Sequence, residues 1–223
     1  MLLRKNIAFF INNHSSFQLE EGLKARLQVY LESDSELIYP ELLLELANKT
    51  SYLVDSILSD DLELKSEIST KIKMIVFDVD GVMTDAGMYY TESGDEMKKF
   101  NAKDGLAIRN IIKSGMLTGI ISHGINVNLI KRRADLLGIQ HVYAGNRPKT
   151  EVLAEWCHHL GINFENVAFI GDDINDLPII RVVGFSACPS DAINLVKAEV
   201  NIVLRNKGGE GAIREWIDTC FSN

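Results

Sequence analysis

Met74-Ile75-Val76-Phe77-Asp78-Val79-Asp80-Gly81-Val82-Met83-Thr84-Asp85 is the stretch that decides the fold. Four apolar residues in succession read as a strand buried on both faces, and two carboxylates follow at its carboxyl end. Alternation along a strand would send Asp78 and Asp80 to the same side, with Gly81 letting the backbone turn behind them. Carboxylates so placed are costly unless a cation pairs with them. A divalent ion suits the pair, leaving one carboxylate to act as nucleophile or base.

Downstream, strand-like and helix-like segments alternate. Strands are expected at 74–77, 116–121, 141–144, 167–170, 184–187 and 200–204, with helices at 105–113, 126–137, 150–160, 176–183, 191–197 and 211–220. Such βα alternation predicts an α/β fold, a doubly wound parallel sheet with helices on both faces. One exception is Gly87-Met88-Tyr89-Tyr90 followed by Glu96-Met97-Lys98-Lys99-Phe100, which reads as an inserted β-hairpin across Glu92-Ser93-Gly94-Asp95.

Upstream, residues 1–70 have a different character and are expected to form a small helical extension to a domain spanning 71–223. Phe17, Leu19, Leu23, Leu27 and Tyr30 recur at roughly helical spacing. A second leucine-rich helical stretch runs from Leu37 to Leu58, and Ser33-Asp34-Ser35-Glu36 resembles a capping box between the two. Ser59 to Thr70 reads as a connection or short helix. No catalytic constellation falls in this extension, whose plain reading is packing or oligomerisation.

The composition is that of a soluble globule, 46% apolar and 24% charged over 223 residues. A net charge of −8 argues against broad affinity for nucleic acid or an anionic membrane. The apolar run Ile7 to Ile11 is too short for a signal-peptide core or a membrane span. Cys157, Cys188 and Cys220 are odd in number and widely spaced, which favours a reducing, cytoplasmic setting. Cys157-His158-His159 looks metal-like, but adjacent helical residues point in different directions.

Polar residues gather where the predicted strands end. Strand one ends in Asp78 and Asp80, the second in Ser122-His123-Gly124, and the fourth in Gly171-Asp172-Asp173-Ile174-Asn175-Asp176. Ligands of open α/β sheets bind at that edge. Carboxylates meeting there would repel one another without a cation, and Mg²⁺ is the economical one.

An aspartate at the end of strand one, a Ser/Thr, a lysine before a helix and GDDxxD after a strand resemble, in that order, the four motifs of the haloacid dehalogenase superfamily. The resemblance covers about Lys71 to Asp218. By matching position it implies that Asp78 is a nucleophile forming an aspartyl-phosphate. It implies that Asp80 is the general acid and then base, its backbone carbonyl also ligating the metal. Ser122 would hydrogen-bond the transferring phosphoryl group, and Lys149 would neutralise charge on it. Asp78, Asp80 and Asp172 would hold Mg²⁺, supported from behind by Asp173 and Asp176.

About 40 residues separate Asp80 from Ser122 and about 26 separate Ser122 from Lys149, too few for a cap domain in either gap. An uncapped site stays open unless a neighbouring subunit covers it, so a homo-oligomer is expected. Asp78 to Asp85, the hairpin ending at Asn101, Asp104-Gly105, Lys131-Arg132-Arg133-Ala134 and Gly208-Gly209-Glu210-Gly211-Ala212 occur in order. This series resembles the capless branch acting on phosphorylated sugar acids, of the 3-deoxy-octulosonate 8-phosphate or nonulosonate 9-phosphate type. That branch implies a tetramer built on the hairpins, with Arg133 approaching the substrate carboxylate. The chain departs from the branch at Ser122-His123-Gly124. The substrate-selecting Arg or Glu is absent at Gly124, and His123 stands where glycine is usual and is a candidate substrate contact. The helical extension is the second departure. Other readings are a phosphatase for another small phosphometabolite, and a non-catalytic oligomerisation module of the same fold, which would be expected to have lost its nucleophile or metal residues.

Overall fold

The computed structural model describes residues 2–33, 35, 37–59 and 61–221. The chain divides into two compact units between Glu67 and Ile68. Among the described residues no helix is long and apolar enough to cross a membrane.

The first unit is helical: α1 (Leu2–Asn12), α2 (His14–Phe17), α3 (Glu21–Glu32), α4 (Pro40–Thr50), α5 (Val54–Ser59) and the start of α6 (Leu62–Lys71). Ile7, Phe10, Leu23, Leu27, Leu46, Ile57 and Leu62 form its buried centre. Buried Asn6 donates to the Ile57 carbonyl at 2.8 Å and accepts from the Leu62 amide at 3.2 Å, so one α1 side chain satisfies backbone groups of α5 and α6. The stretch expected as one helix from Leu37 to Leu58 is two. Pro40 starts α4, and Ser51 ends it in the left-handed conformation at φ 61°. Ser33 closes α3, its hydroxyl donating to the Tyr30 carbonyl at 2.7 Å. Asp34 and Glu36 of the expected capping box lie outside the described residues.

The second unit carries the α/β alternation: β1 (Met74–Phe77), the hairpin β2 (Tyr89–Tyr90) and β3 (Glu96–Met97), α7 (Ala102–Lys113), β4 (Leu117–Ser122), α8 (Val127–Leu137), β5 (His141–Ala144) and α9 (Lys149–Leu160). It continues with β6 (Val167–Ile170), α10 (Leu177–Ile180), β7 (Phe185–Cys188), α11 (Asn194–Lys197), β8 (Ile202–Val203) and α12 (Ala212–Cys220). Among the described residues the main sheet has six strands in the order β5-β4-β1-β6-β7-β8, every pairing parallel. The chain builds outward from β1 to β5, then returns to the other side of β1 at β6. That reversal makes a crevice at the carboxyl edge beside β1.

β1 is buried at all four positions because helices cover both faces. Phe77 meets Trp216 of α12 edge-on at 6.4 Å between ring centroids. Val76, one residue earlier and facing the other way, belongs with Val152, Leu153 and Ile179 of α9 and α10. Register then places the site: Phe77 pairs with both Ile120 and Ile170, so Asp78 is level with Ile121 and Gly171. Ser122 and Asp172 come one residue later on either side.

Candidate active site

Lys149, the first residue of α9, is buried and stands between two carboxylates. Its Nζ is 2.9 Å from Asp78 Oδ1 and donates to Asp176 Oδ1 at 2.6 Å. The second oxygen of buried Asp176 accepts from the backbone amides of Asp172 at 2.8 Å and Asp173 at 3.3 Å. One carboxylate therefore folds the loop after β6 and anchors the lysine. Asp173 takes a local role, accepting from the Ile174 amide at 2.7 Å to cap the short 3₁₀ turn. Ser122, also buried, accepts from the Gly124 amide at 3.0 Å and lines the cleft beside Asp78 and Asp172.

The electrostatics call for a cation. Asp78, Asp172 and Asp176 each offer an oxygen within 4.8 Å of the others. Burial pushes the Asp78 carboxyl up to about 7, with Asp176 adding to the rise and Lys149 opposing it. Asp172 rises to about 8, through burial and then repulsion from Asp78, Asp176 and Asp173. Burial pulls Lys149 down, but Asp78 and Asp176 outweigh it and hold the ammonium charged. A single lysine thus leaves the carboxylates undercompensated, and a hard divalent ion with oxygen ligands fits this donor set. Gly81 keeps the space beside it open: at φ 82°, a Cβ there would lie 2.0 Å from Asp172 Oδ2. The residues that fit a divalent ion are Asp78 and Asp172, with Asp176 already engaged by Lys149.

Asp80 reaches the cleft through a turn and not through strand alternation. The strand ends at Phe77, so alternation does not extend to residue 80, and the Asp80 carboxylate turns to Lys98 Nζ at 2.5 Å. Asp78 and Asp80 line the same cleft, of about 380 Å³, without their side chains sharing a partner. Lys98 and Glu96, which also line it, were read from the sequence as hairpin residues and not as site residues; their register in the hairpin was the available signal.

Two candidate substrate contacts are otherwise engaged. Both ring nitrogens of His123 are within reach of protein groups, Nε2 of the Arg147 carbonyl at 3.2 Å and Nδ1 of the Asn175 amide at 3.3 Å. His123 lines the cleft but joins the loops after β4, β5 and β6. Arg133 does not line the cleft: its guanidinium lies 4.9 Å from the Phe100 ring centroid and donates to the Asn101 carbonyl at 3.3 Å. α8 turns that face toward α7, where a Gly105 Cβ would stand 2.7 Å from Arg133 Nη2. Gly124 is in the cleft wall, and a Cβ there would meet Ile130 Cδ1 at 2.9 Å and Asp80 Oδ2 at 3.3 Å. Ile125, beside it, is 94% exposed.

The glycine-rich segment after β8 has a packing role. A Cβ on Gly208 would lie 1.9 Å from the Gly81 carbonyl oxygen, and the Gly209 amide donates to the Val82 carbonyl at 3.0 Å. The loop behind Asp78 and Asp80 is thus backed by another backbone with no side chain between.

Residues 126–217 match the family of haloacid dehalogenase-like hydrolases. The chain is 40% identical over 150 residues to the 3-deoxy-D-manno-octulosonate 8-phosphate phosphatase of Yersinia pestis, covering 67% of this chain and 80% of that protein. This chain belongs to the haloacid dehalogenase-like hydrolases. Within that family it is a phosphomonoester hydrolase. The crystal structure of the Yersinia pestis phosphatase matches with a TM-score of 0.68 at 37% identity, over 71% of this chain and 85% of that one. The 3-deoxy-D-manno-octulosonate 8-phosphate phosphatase of Moraxella catarrhalis, solved with magnesium, phosphate and KDO, matches with a TM-score of 0.66 at 32% identity, over 69% and 87%. The parallel sheet and flanking helices are those of a haloacid dehalogenase-like hydrolase, as the order of motifs implied.

Proposed function

We propose that this hydrolase removes the phosphate of 3-deoxy-D-manno-octulosonate 8-phosphate or a closely related phosphorylated sugar acid, with Mg²⁺ as its metal. The observation that carries the chemistry is the Asp78–Lys149–Asp176 chain beside Asp172 at one cleft. The substrate class rests on the relatives, which carry that activity in their names. In this reading Asp78 Oδ attacks phosphorus while the bond from phosphorus to the sugar oxygen breaks. The departing oxygen takes the Asp80 proton, giving free alcohol and an aspartyl-phosphate. Asp80 then takes a proton from water as its oxygen attacks phosphorus, releasing inorganic phosphate and restoring Asp78.

Lys149 and the Ser122 hydroxyl would steady the equatorial phosphoryl oxygens, Lys149 by charge and Ser122 by hydrogen bonding. Asp78, Asp172 and the backbone carbonyl of Asp80 would hold the Mg²⁺, which when bound offsets phosphate and carboxylate charge. Asp176 would position Lys149. All these residues lie in 71–223, the segment proposed as the catalytic domain, with 1–70 as an extension. Three buried and widely spaced cysteines suit a cytoplasmic setting.

A homotetramer joined through the hairpins is proposed because Met88, Tyr89, Tyr90 and Met97 are all exposed on that ribbon. A second reading, a phosphatase for another small phosphometabolite, is favoured by the bare cleft wall at Gly124. A non-catalytic role fits poorly, since Asp78, Asp80, Lys149 and Asp172 are all present. Phosphate release from 3-deoxy-octulosonate 8-phosphate, a nonulosonate 9-phosphate and an aryl phosphate, with and without Mg²⁺, separates the three. Preference for a sugar acid supports the first reading, and no turnover of any supports the last.

A further inference from the structure

One buried cation has no part in the phosphoryl chemistry just described. Lys98, at the foot of the hairpin, has a side chain 1% exposed, with its Nζ 2.5 Å from Asp80 Oδ1 and 2.8 Å from Glu96 Oε1. Glu96 and Lys98 meet on one side of the ribbon through their ion pair. The Asp80 and Glu96 side chains are 29% and 13% exposed, so the carboxylates are more open to the cleft than the ammonium they flank. With its Nζ held between these two carboxylates, Lys98 is placed to act through Asp80.

We propose that Lys98, neutralised by Glu96, is a positioning residue that fixes the Asp80 carboxyl at the cleft wall through both halves of the reaction. The inference rests on the role given to Asp80 above. Asp80 must be neutral to give its proton to the leaving oxygen and anionic to receive one from water. A lone buried lysine would lose its counter-ion in the half of the reaction in which Asp80 carries the proton. Glu96, on the other side of the same Nζ, keeps Lys98 paired and in place throughout. The inserted hairpin thereby supplies the support for the acid.

The test separates leaving groups. An alkoxide needs the Asp80 proton to depart, whereas p-nitrophenolate departs without it. With Mg²⁺ and the full chain, Lys98→Met is expected to lower kcat on 3-deoxy-octulosonate 8-phosphate by roughly 10²-fold and on p-nitrophenyl phosphate by less than about three-fold. If that sugar phosphate is not turned over, the alkyl phosphate hydrolysed fastest takes its place. Lys98→Arg is expected to recover part of the loss. Should Lys98→Met fail to fold or change its mass in light scattering, Glu96→Gln, which leaves Lys98 unneutralised, is expected to show the same split. Equal losses on both substrates, or none on either, overturn the proposal. Asp78→Asn is the separate control: if it keeps wild-type turnover on both substrates, the phosphatase mechanism itself has failed, whatever Lys98 does.

Discussion

At the scale of single residues, the raised Asp78 and Asp172 carboxyls have a consequence for stability. Their values of about 7 and about 8 lie above the ordinary 3.8, so the folded protein binds protons that the unfolded chain has released. Their contribution is fully present below pH 3.8 and is lost as pH rises through 7 to 8 in metal-free protein. Bound Mg²⁺ would compete with those protons, so its stabilising effect should grow over the same range. Thermal melts should show Mg²⁺ raising Tm by about 5 °C near pH 8.5 and by roughly nothing near pH 5.5; an equal gain at both would contradict the assignment. Lys149→Met removes the cation between Asp78 and Asp176, and denaturant melts without metal should show a loss of about 3–5 kcal/mol. Its kcat is expected to fall on the order of 10³-fold.

Which residues were legible follows from what fixes them. Asp78, Ser122 and Asp172 sit at strand ends, and parallel register sets where a strand end lies, so their convergence could be read from the apolar runs. The partner of Asp80 depends on how the hairpin folds back, which nothing local to Asp80 encodes. The helical spacing around Arg133 does not say which face of α8 meets Phe100.

At the scale of elements, the loop after β8 and the loop after β1 touch backbone to backbone. Gly208→Ala must push the Gly81 carbonyl away, and with it the turn carrying Asp80. Gly94→Ala, at the hairpin tip, meets nothing within 4 Å and carries only the strain of its φ of 86°. Urea melts should show a cost of about 1 kcal/mol for Gly94→Ala and more than about twice that for Gly208→Ala, with kcat reduced only in the latter. Similar melts for the two variants would mean that this contact is soft. The central strands β1 and β6 were readable because unbroken apolar runs of four residues, Met74–Phe77 and Val167–Ile170, leave little choice. The N-terminal helices were readable in kind but not in extent: a leucine-rich stretch keeps helical spacing across Ser51, and the break there is a backbone conformation that spacing does not reveal.

At the scale of the whole molecule, alternation of strand and helix fixed the fold class, since parallel strands need crossovers and crossovers place helices on both faces. The strand order, with β1 central and the reversal at β6, is a long-range choice that the alternation permits without demanding. The apolar hairpin predicts assembly. Light scattering should give a particle near four times the 24.9 kDa chain, and Tyr89→Glu with Met97→Glu should shift it to smaller species. A wild-type monomer would contradict that expectation.

The central claim is that Asp78 carries the phosphoryl group of a sugar-acid phosphate. Its most direct measurement is Mg²⁺-dependent phosphate release from 3-deoxy-octulosonate 8-phosphate by the wild type and by Asp78→Asn. The account predicts turnover with kcat/KM on the order of 10⁴ M⁻¹s⁻¹ or more for the wild type, reduced by at least about 10³-fold in the variant. Comparable release by both proteins, or none by the wild type, would contradict it.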